Sequence, residues 1–526
     1  MYVYRSKPVL LGLLTAIGLV LGAAAASAAL PAPPVPRENP TTEAKRILGK
    51  ALFWDEQLSS DNTVACGTCH QPGRGGGDPR RQRGAGQDGK LGTADDTFGS
   101  PGVGHMNAKG VHAPHAVYGD GPMVGTRTAP SYFGGLWNKT AFWDGRAGSV
   151  FKDPVSGKVE IAEGGALENQ AIGPLFNDAE MAHEKRQWPE LLGALKKAKP
   201  LALARKLPAD LQAGIAGKSY PQLFKQAFGD PAITPTRIAF AIAAYERTLV
   251  ADQTPWDLDQ AKIKPLSDAA RAGKAWFEYR KCDLCHKPPL FADDEFKAVG
   301  LRPAFHDFGR RDVTGDKADG GRMHIPTLRN VVLRRSFMHT GEFTTMDEVL
   351  DLYAQKARGE RDTLPDGTDY APSTDETDRA GIKAFLTEAL VDPRVKAETF
   401  PFDRPQLRGE RAAADKGPPG KPAALKAKVL DGGVKLSWSA PASGAEDYAI
   451  SRNGRMVGLS TDTGFIDETA QPGRVYLYRV AARSVGAKAS DGATAVGATQ
   501  FAWIWLVGIL GVAGGGWVFW RRRKRA

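Results

Sequence analysis

Apolar residues recur at helical spacing in three stretches of the chain and at strand spacing in a fourth. AKRILGKALF, Ala44 to Phe53, reads as a helix that Thr41 can cap. In ITPTRIAFAIAAYERTLV, Ile238, Ile242, Tyr245 and Leu249 fall on one face, with Thr234 as cap and Pro235 at the first helical position. ARAGKAWF, Ala270 to Phe277, predicts a third helix capped by Ser267, with Ala272, Trp276 and Tyr279 on one face. After Ala424 the period changes to two: VKLSW alternates, DYAISR-NG-RMVGL is a hairpin turning at Asn453-Gly454, and RVYLYRVAARS alternates again. RGERAAADKGPPGKPAA, charged and rich in Pro and Gly, reads as the linker between the two regimes. Between Gln71 and Thr126 glycine is frequent and periodicity is lost, which predicts a long loop serving a site or mobile.

The two ends carry continuous apolar runs. Arg5 and Lys7 precede one, which closes on Ala26, Ser27 and Ala28, so residues 1–29 read as a secretory signal. An uncleaved N-terminal anchor is the alternative. Phe501 to Trp520 is uncharged, and at about 1.5 Å per residue such a helix covers a hydrocarbon layer of about 30 Å. Trp503, Trp505, Trp517 and Trp520 sit near its ends, and the basic residues 521–526 place the C-terminus in the cytoplasm. The expectation is therefore a periplasm-facing protein held to the inner membrane by a C-terminal transmembrane helix. A cleavable sorting tail shares this three-part pattern.

Length and composition add that the chain holds more than one domain: 526 residues, 42% apolar and 25% charged. The formal charge of +11 includes the terminal RRRKRA, and the remaining excess is dispersed, which argues against a nucleic-acid groove.

All four cysteines lie in two Cys-x-x-Cys-His runs, Cys66-Cys69-His70 and Cys282-Cys285-His286. This is the attachment pattern of c-type haem. Two thiols one short turn apart can add to the two vinyl groups of a porphyrin, and the adjacent imidazole then ligates iron. Zinc needs four ligands, and neither run has a second pair nearby. Two covalent haems follow. The approaches share a Gly-Lys-Ala-x-Phe core, at Gly49–Phe53 and Gly273–Phe277, which implies a duplicated, mainly helical haem module. Asp88, Asp95 and Asp96 fit no EF-hand spacing and read as a solvated turn.

LGKALFWDEQLS, TAFWDGRAGSV, ENQAIGPLFNDAEM and IPTLRNVVLRRSFMHTGEF, in that order over residues 39–395, resemble the bacterial dihaem cytochrome c peroxidase and MauG family. The resemblance implies that the His70 haem reacts with peroxide, with Gln170 and Glu180 in its distal pocket and Trp143 between the haems. It implies that peroxide is the substrate and that a small periplasmic cytochrome c or copper protein is the electron donor. A calcium ion between the haems is also implied, with Thr128 and Pro326 at matching positions and Thr128 standing where typical members have Asn. Two departures stand out. The position of the family's mobile distal His falls at Asp120, with His112 and His115 displaced nearby. Opposite His286, typical peroxidases supply Met, whereas the aligned residue here is Tyr353, as in MauG-type proteins; Met346, Met338 or no strong sixth ligand are the alternatives.

Trp438 followed by Tyr476, Tyr478 and Val480 resembles a fibronectin type III sandwich. The expected fold is thus mainly α with two cytochrome c-type haem domains, an all-β fibronectin type III-like sandwich and one C-terminal transmembrane helix. The expected division is 39–250, 251–402, a linker at 403–423, 424–499, a span at 501–520 and a tail at 521–526. The leading function is peroxide reduction at the N-terminal haem with electrons delivered through the C-terminal haem. The alternatives are MauG-like oxidation of a protein side chain through a high-valent state, and a non-catalytic dihaem electron-transfer cytochrome.

Overall fold

The computed structural model describes residues 30–301, 306–357, 375–408, 410 and, apart from short breaks, 420–498. The expected signal at 1–29, the span at 501–520 and the tail at 521–526 lie outside the described residues. Among the described residues no helix is long and apolar enough to cross a membrane.

Helix α1 (Glu43–Phe53) is capped by Thr42, one residue later than expected: its backbone is extended and its hydroxyl accepts from Lys45 N–H at 3.3 Å. The helix lies against α2 (Pro235–Glu246), which Thr234 caps through Arg237 N–H with Pro235 in the first turn. Ile238, Ile242, Tyr245 and Leu249 are all buried, as the period predicts. A Cβ added to Gly49 would overlap the Ala241 carbonyl, so glycine at this position is what lets the two helices touch. Phe53, one turn on, fills the core beside Tyr245, with ring centroids 5.4 Å apart.

The second module repeats this device. Helix α3 (Asp268–Tyr279), capped by Ser267 through Ala270 N–H, packs on α5 (Glu376–Glu388), while α4 (Met346–Ala357) lies beside it. Gly273 meets the Gly381 carbonyl, and Phe277 stands 5.4 Å from Phe385. The shared Gly-Lys-Ala-x-Phe core is therefore a packing rule, glycine at the crossing and phenylalanine beneath it. The same rule corrects the expected face of α3. Its buried stripe is Ala270, Gly273 and Phe277, whereas Ala272 and Tyr279 are exposed and Trp276 is only half-buried. Period alone admits either stripe; the close crossing at Gly273 selects one. Gly49→Ala should lower stability by about 1–3 kcal/mol through forced overpacking, read as a fall in Tm; an unchanged Tm contradicts the close approach.

Helices supply these two cores, but the connecting chain is largely irregular, so mainly α describes the cores only. Short antiparallel ribbons pair Gln82–Gly84 with Thr97–Gly99, and Pro101–Gly104 with Pro122–Val124, inside the expected loop. Its turn is solvated at residues 87–92, Asp88 included, but not at Asp95 and Asp96. Asp95 is buried and accepts from Gln87 and Asp88 N–H at 2.7 and 2.8 Å, and Asp96 pairs with Arg83. Residues 403–408, read as the start of a linker, pack on the first core: Leu407 is buried there with Phe402, and Arg404 bridges Glu398 and Glu410.

The C-terminal strands are β1 (Ala423–Leu430), β2 (Gly433–Ser439), β3 (Asp447–Arg452), β4 (Arg455–Ser460), β5 (Gly464–Asp467), β6 (Val475–Arg483) and β7 (Ala493–Ala498). They form two antiparallel sheets, ordered β5-β2-β1 and β4-β3-β6-β7. Val434, Leu436 and Trp438 of one sheet share a core with Tyr448, Ile450, Tyr478 and Val480 of the other. This three-plus-four sandwich is the fibronectin type III-like arrangement. Asn453 turns the β3–β4 hairpin at φ 52°, and Tyr478 Oη donates to Asp467 at 2.6 Å.

Candidate functional site

Cys66–Cys69 makes one helical turn after the extended Ala65, whose N–H donates to Thr68 Oγ1 at 2.8 Å. A Cβ on Gly67 would enter the Trp54 ring, so this position of the run has room only for glycine. Trp54 is itself fixed by donating Nε1–H to Tyr245 Oη at 3.1 Å. His70 Nδ1 stands 3.1 Å from the Gly76 carbonyl. A carbonyl only accepts, so Nδ1 carries the hydrogen and Nε2 keeps its lone pair for a metal. Burial pushes the His70 pKa down, which keeps the ring neutral and fit for ligation.

Cys66, Cys69 and His70 line one cavity together with Gln170, Glu180 and Glu246, walled by Phe53, Val64, Ile242 and Met181. Gln170 lies on the helix Ala166–Ile172, and Glu180 on the turn that follows it. Asn177 Nδ2–H donates to Glu180 Oε1 at 3.0 Å, and burial raises the Glu180 pKa. Two residues tie the Gln170 helix to α2: Glu168 forms a buried pair with Arg247 at 2.7 Å and accepts from Asn39 at 2.8 Å. His112, His115 and Asp120 are not among the residues lining the cavity. His115 stacks on Tyr118 at 5.3 Å, and Asp120 is exposed.

The second site repeats the first. His286 N–H donates to the Cys282 carbonyl at 2.9 Å, and its Nδ1 is 3.1 Å from the Pro326 carbonyl. Burial pushes its pKa down to about 4. The surrounding cavity is lined by Cys282, Cys285, His286, Trp143, Tyr353, Met338 and Met346 among others. All three candidates for the ligand opposite His286 thus reach one space. Of Tyr353, burial first and then the charges of Cys282 and Cys285 raise the phenol pKa. Trp143 stands on the wall of this cavity. Its Nε1–H donates to the Thr128 carbonyl at 2.8 Å, and its ring lies 6.3 Å from that of His339.

Each cavity fits a covalent haem: two thiols, an imidazole with its outer nitrogen tied, and apolar walls. The second also has Arg334, whose Nη1 is buried without a partner among the described residues and whose pKa burial lowers to about 10. Its Nε and Nη2 donate to the Ser336 and Ala129 carbonyls, which leaves Nη1 as a fixed donor suited to a porphyrin carboxylate. At the positions matched to the family's calcium, the Thr128 carbonyl accepts from Trp143 Nε1–H and the Pro326 carbonyl stands against His286 Nδ1.

Glu246 went unread in the sequence. It ends the apolar stripe IAFAIAAYE, where an acid looks like ordinary helix-end solvation. A lone carboxylate one position after the buried Tyr245, on the helix that crosses α1, was the available signal.

Residues 43–262 match the family described as di-haem cytochrome c peroxidase. A cytochrome c peroxidase of Escherichia coli is 28% identical over 330 residues, covering 61% of this chain and 55% of that protein. The methylamine utilization protein MauG of Methylorubrum extorquens is 28% identical over 382 residues, covering 71% of this chain and 84% of that one. A solved MauG-like protein associated with microbial copper homeostasis covers 71% of this chain and 96% of its own, at 23% identity and a TM-score of 0.50. The last of these speaks to the fold alone. Over residues 43–262 the chain is thus similar to the dihaem cytochrome c peroxidase and MauG family, and it carries a C-terminal fibronectin type III-like sandwich.

Proposed function

We propose that this chain is a dihaem c-type peroxidase that reduces hydrogen peroxide in the Cys66 cavity. The observation that carries the reading is the gathering of Gln170 and Glu180 into the cavity that holds Cys66, Cys69 and His70. Bound haem supplies an iron face for peroxide at His70 and an entry for electrons at His286. The chain's own groups do the rest. Glu180, raised by burial and held by Asn177, takes a proton from one peroxide oxygen and returns it to the departing one. The Gln170 amide orients the bound peroxide by hydrogen bonding, and the apolar wall excludes water. Trp143, pinned to Thr128, gives an aromatic relay toward the second cavity. Trp143→Phe should leave both haems attached and slow reduction of the first haem by the second several-fold in stopped-flow traces; an unchanged rate removes Trp143 from the route.

The donor is read as a small periplasmic cytochrome c or copper protein, which the family resemblance supports, and the membrane tether as the 501–520 span, which the uncharged sequence there supports. The test is steady-state oxidation of such a reduced protein by peroxide. Saturable turnover with two donor equivalents per peroxide is expected. Tyr353 in the second cavity favours a second reading, MauG-like oxidation of a protein side chain, and peroxide reactivity with no donor turnover would select it.

A further inference from the structure

Glu246 lines the Cys66 cavity at the C-terminal end of α2, and it is the acid the proposed mechanism leaves unused. Its side chain is almost fully buried, and Oε2 has no hydrogen-bond partner among the described residues. The guanidinium of Arg247 turns to Glu168, with contacts of 2.7 and 3.0 Å, so its charge acts on Glu246 only from a distance and offsets burial in part. The groups that face it are the Cys66 thiol, whose pKa the Glu246 charge helps to raise, and the Tyr132 phenol, also without a partner for its hydroxyl. Glu180 shares the cavity and brings more negative charge. A lone carboxylate in such a place is costly, whereas a carboxylic acid is not. Burial, with Glu168 adding to it, pushes Glu246 up to about 8.

The stoichiometry of peroxide reduction requires such a group. Glu180 only moves a proton from one peroxide oxygen to the other; the first water leaves with no net proton consumed. The other oxygen needs two electrons, from the one-electron donor protein, and two protons. We propose that Glu246 is a proton donor of this cavity: its O–H bond breaks, an O–H bond of the second water forms, and the carboxylate is reprotonated from solvent. The inference rests on the peroxidase reading and names a residue that reading does not require.

Two measurements on the haem-loaded chain test it. In infrared spectra recorded across pH, wild type should show a protonated-carboxyl C=O band that disappears near pH 8, that Glu246→Gln lacks and that Glu246→Asp retains in shifted form. In stopped flow, the reductive phase should slow relative to the peroxide phase by about 10²-fold in Glu246→Gln. In wild type that phase should slow as pH rises through the pKa of Glu246, and the variant should lose this limb. A band present in Glu246→Gln, or an unaltered ratio of phases, overturns the proposal. If wild type does not react with peroxide at all, the peroxidase reading falls instead, and the infrared band alone decides whether Glu246 holds the proton.

Discussion

Glu180→Gln is expected to slow the reaction of the oxidised protein with peroxide by about 10²–10³-fold at neutral pH, within the range typical of a lost general base. The amide has nearly the shape of the carboxyl and can still accept from Asn177, so packing and haem attachment should survive. What it cannot do is take a proton. The sign of the pH dependence follows from burial, which favours the neutral acid and raises the Glu180 pKa above the ordinary carboxyl value. The base is the ionised form, so in wild type the rate falls as pH drops through that raised pKa. In the variant this acid limb should vanish, leaving a slow, flat profile. A variant with the wild-type rate and the wild-type limb would remove Glu180 from the chemistry, whatever its place in the cavity.

Tyr353→Met should raise the midpoint potential of the second haem by on the order of 0.1 V or more, within the ~0.8 V that axial ligands span. A phenolate is a hard anion that favours ferric iron, whereas a thioether favours the reduced state. The expectation depends on Tyr353, not a methionine, lying opposite His286. Met338 and Met346 line the same cavity, and the resemblance to MauG-type proteins is what favours Tyr353 over them. Met346→Leu and Met338→Leu are therefore expected to leave the potential within experimental error of wild type. A large shift in either, with none in Tyr353→Met, would transfer the ligand to that methionine.

How much of this was legible in the sequence depends on where the physical signal lies. The two haem runs exhaust the cysteines and are local in sequence, so they could be read directly. Gln170 and Glu180 have no local signature; only resemblance brought them forward, and only folding brings them to His70. Glu246 was lost because an acid ending an apolar helix looks like a solvated end until its surroundings are known. The α3 face was misread for a related reason: Ala272, Trp276 and Tyr279 have the right period, but a contact absent from the local sequence, Gly273 on Gly381, turns the helix the other way. The ribbons between Gln82 and Val124 have no periodicity to betray them, because Asp95 and backbone N–H groups hold that segment more than any apolar face does. The sandwich was easier, since inward residues alternate along Val434, Leu436 and Trp438.

We propose that the two similar attachment runs hold irons with different faces, one open beside Gln170 and Glu180 and one closed by Tyr353. A resting-state electron paramagnetic resonance spectrum of the haem-loaded protein, titrated with peroxide, tests it most directly. A high-spin ferric signal from the His70 site is expected beside a low-spin signal from the His286 site, with the high-spin signal lost as peroxide is added. Two low-spin signals, both unchanged by peroxide, would contradict it and leave an electron-transfer cytochrome.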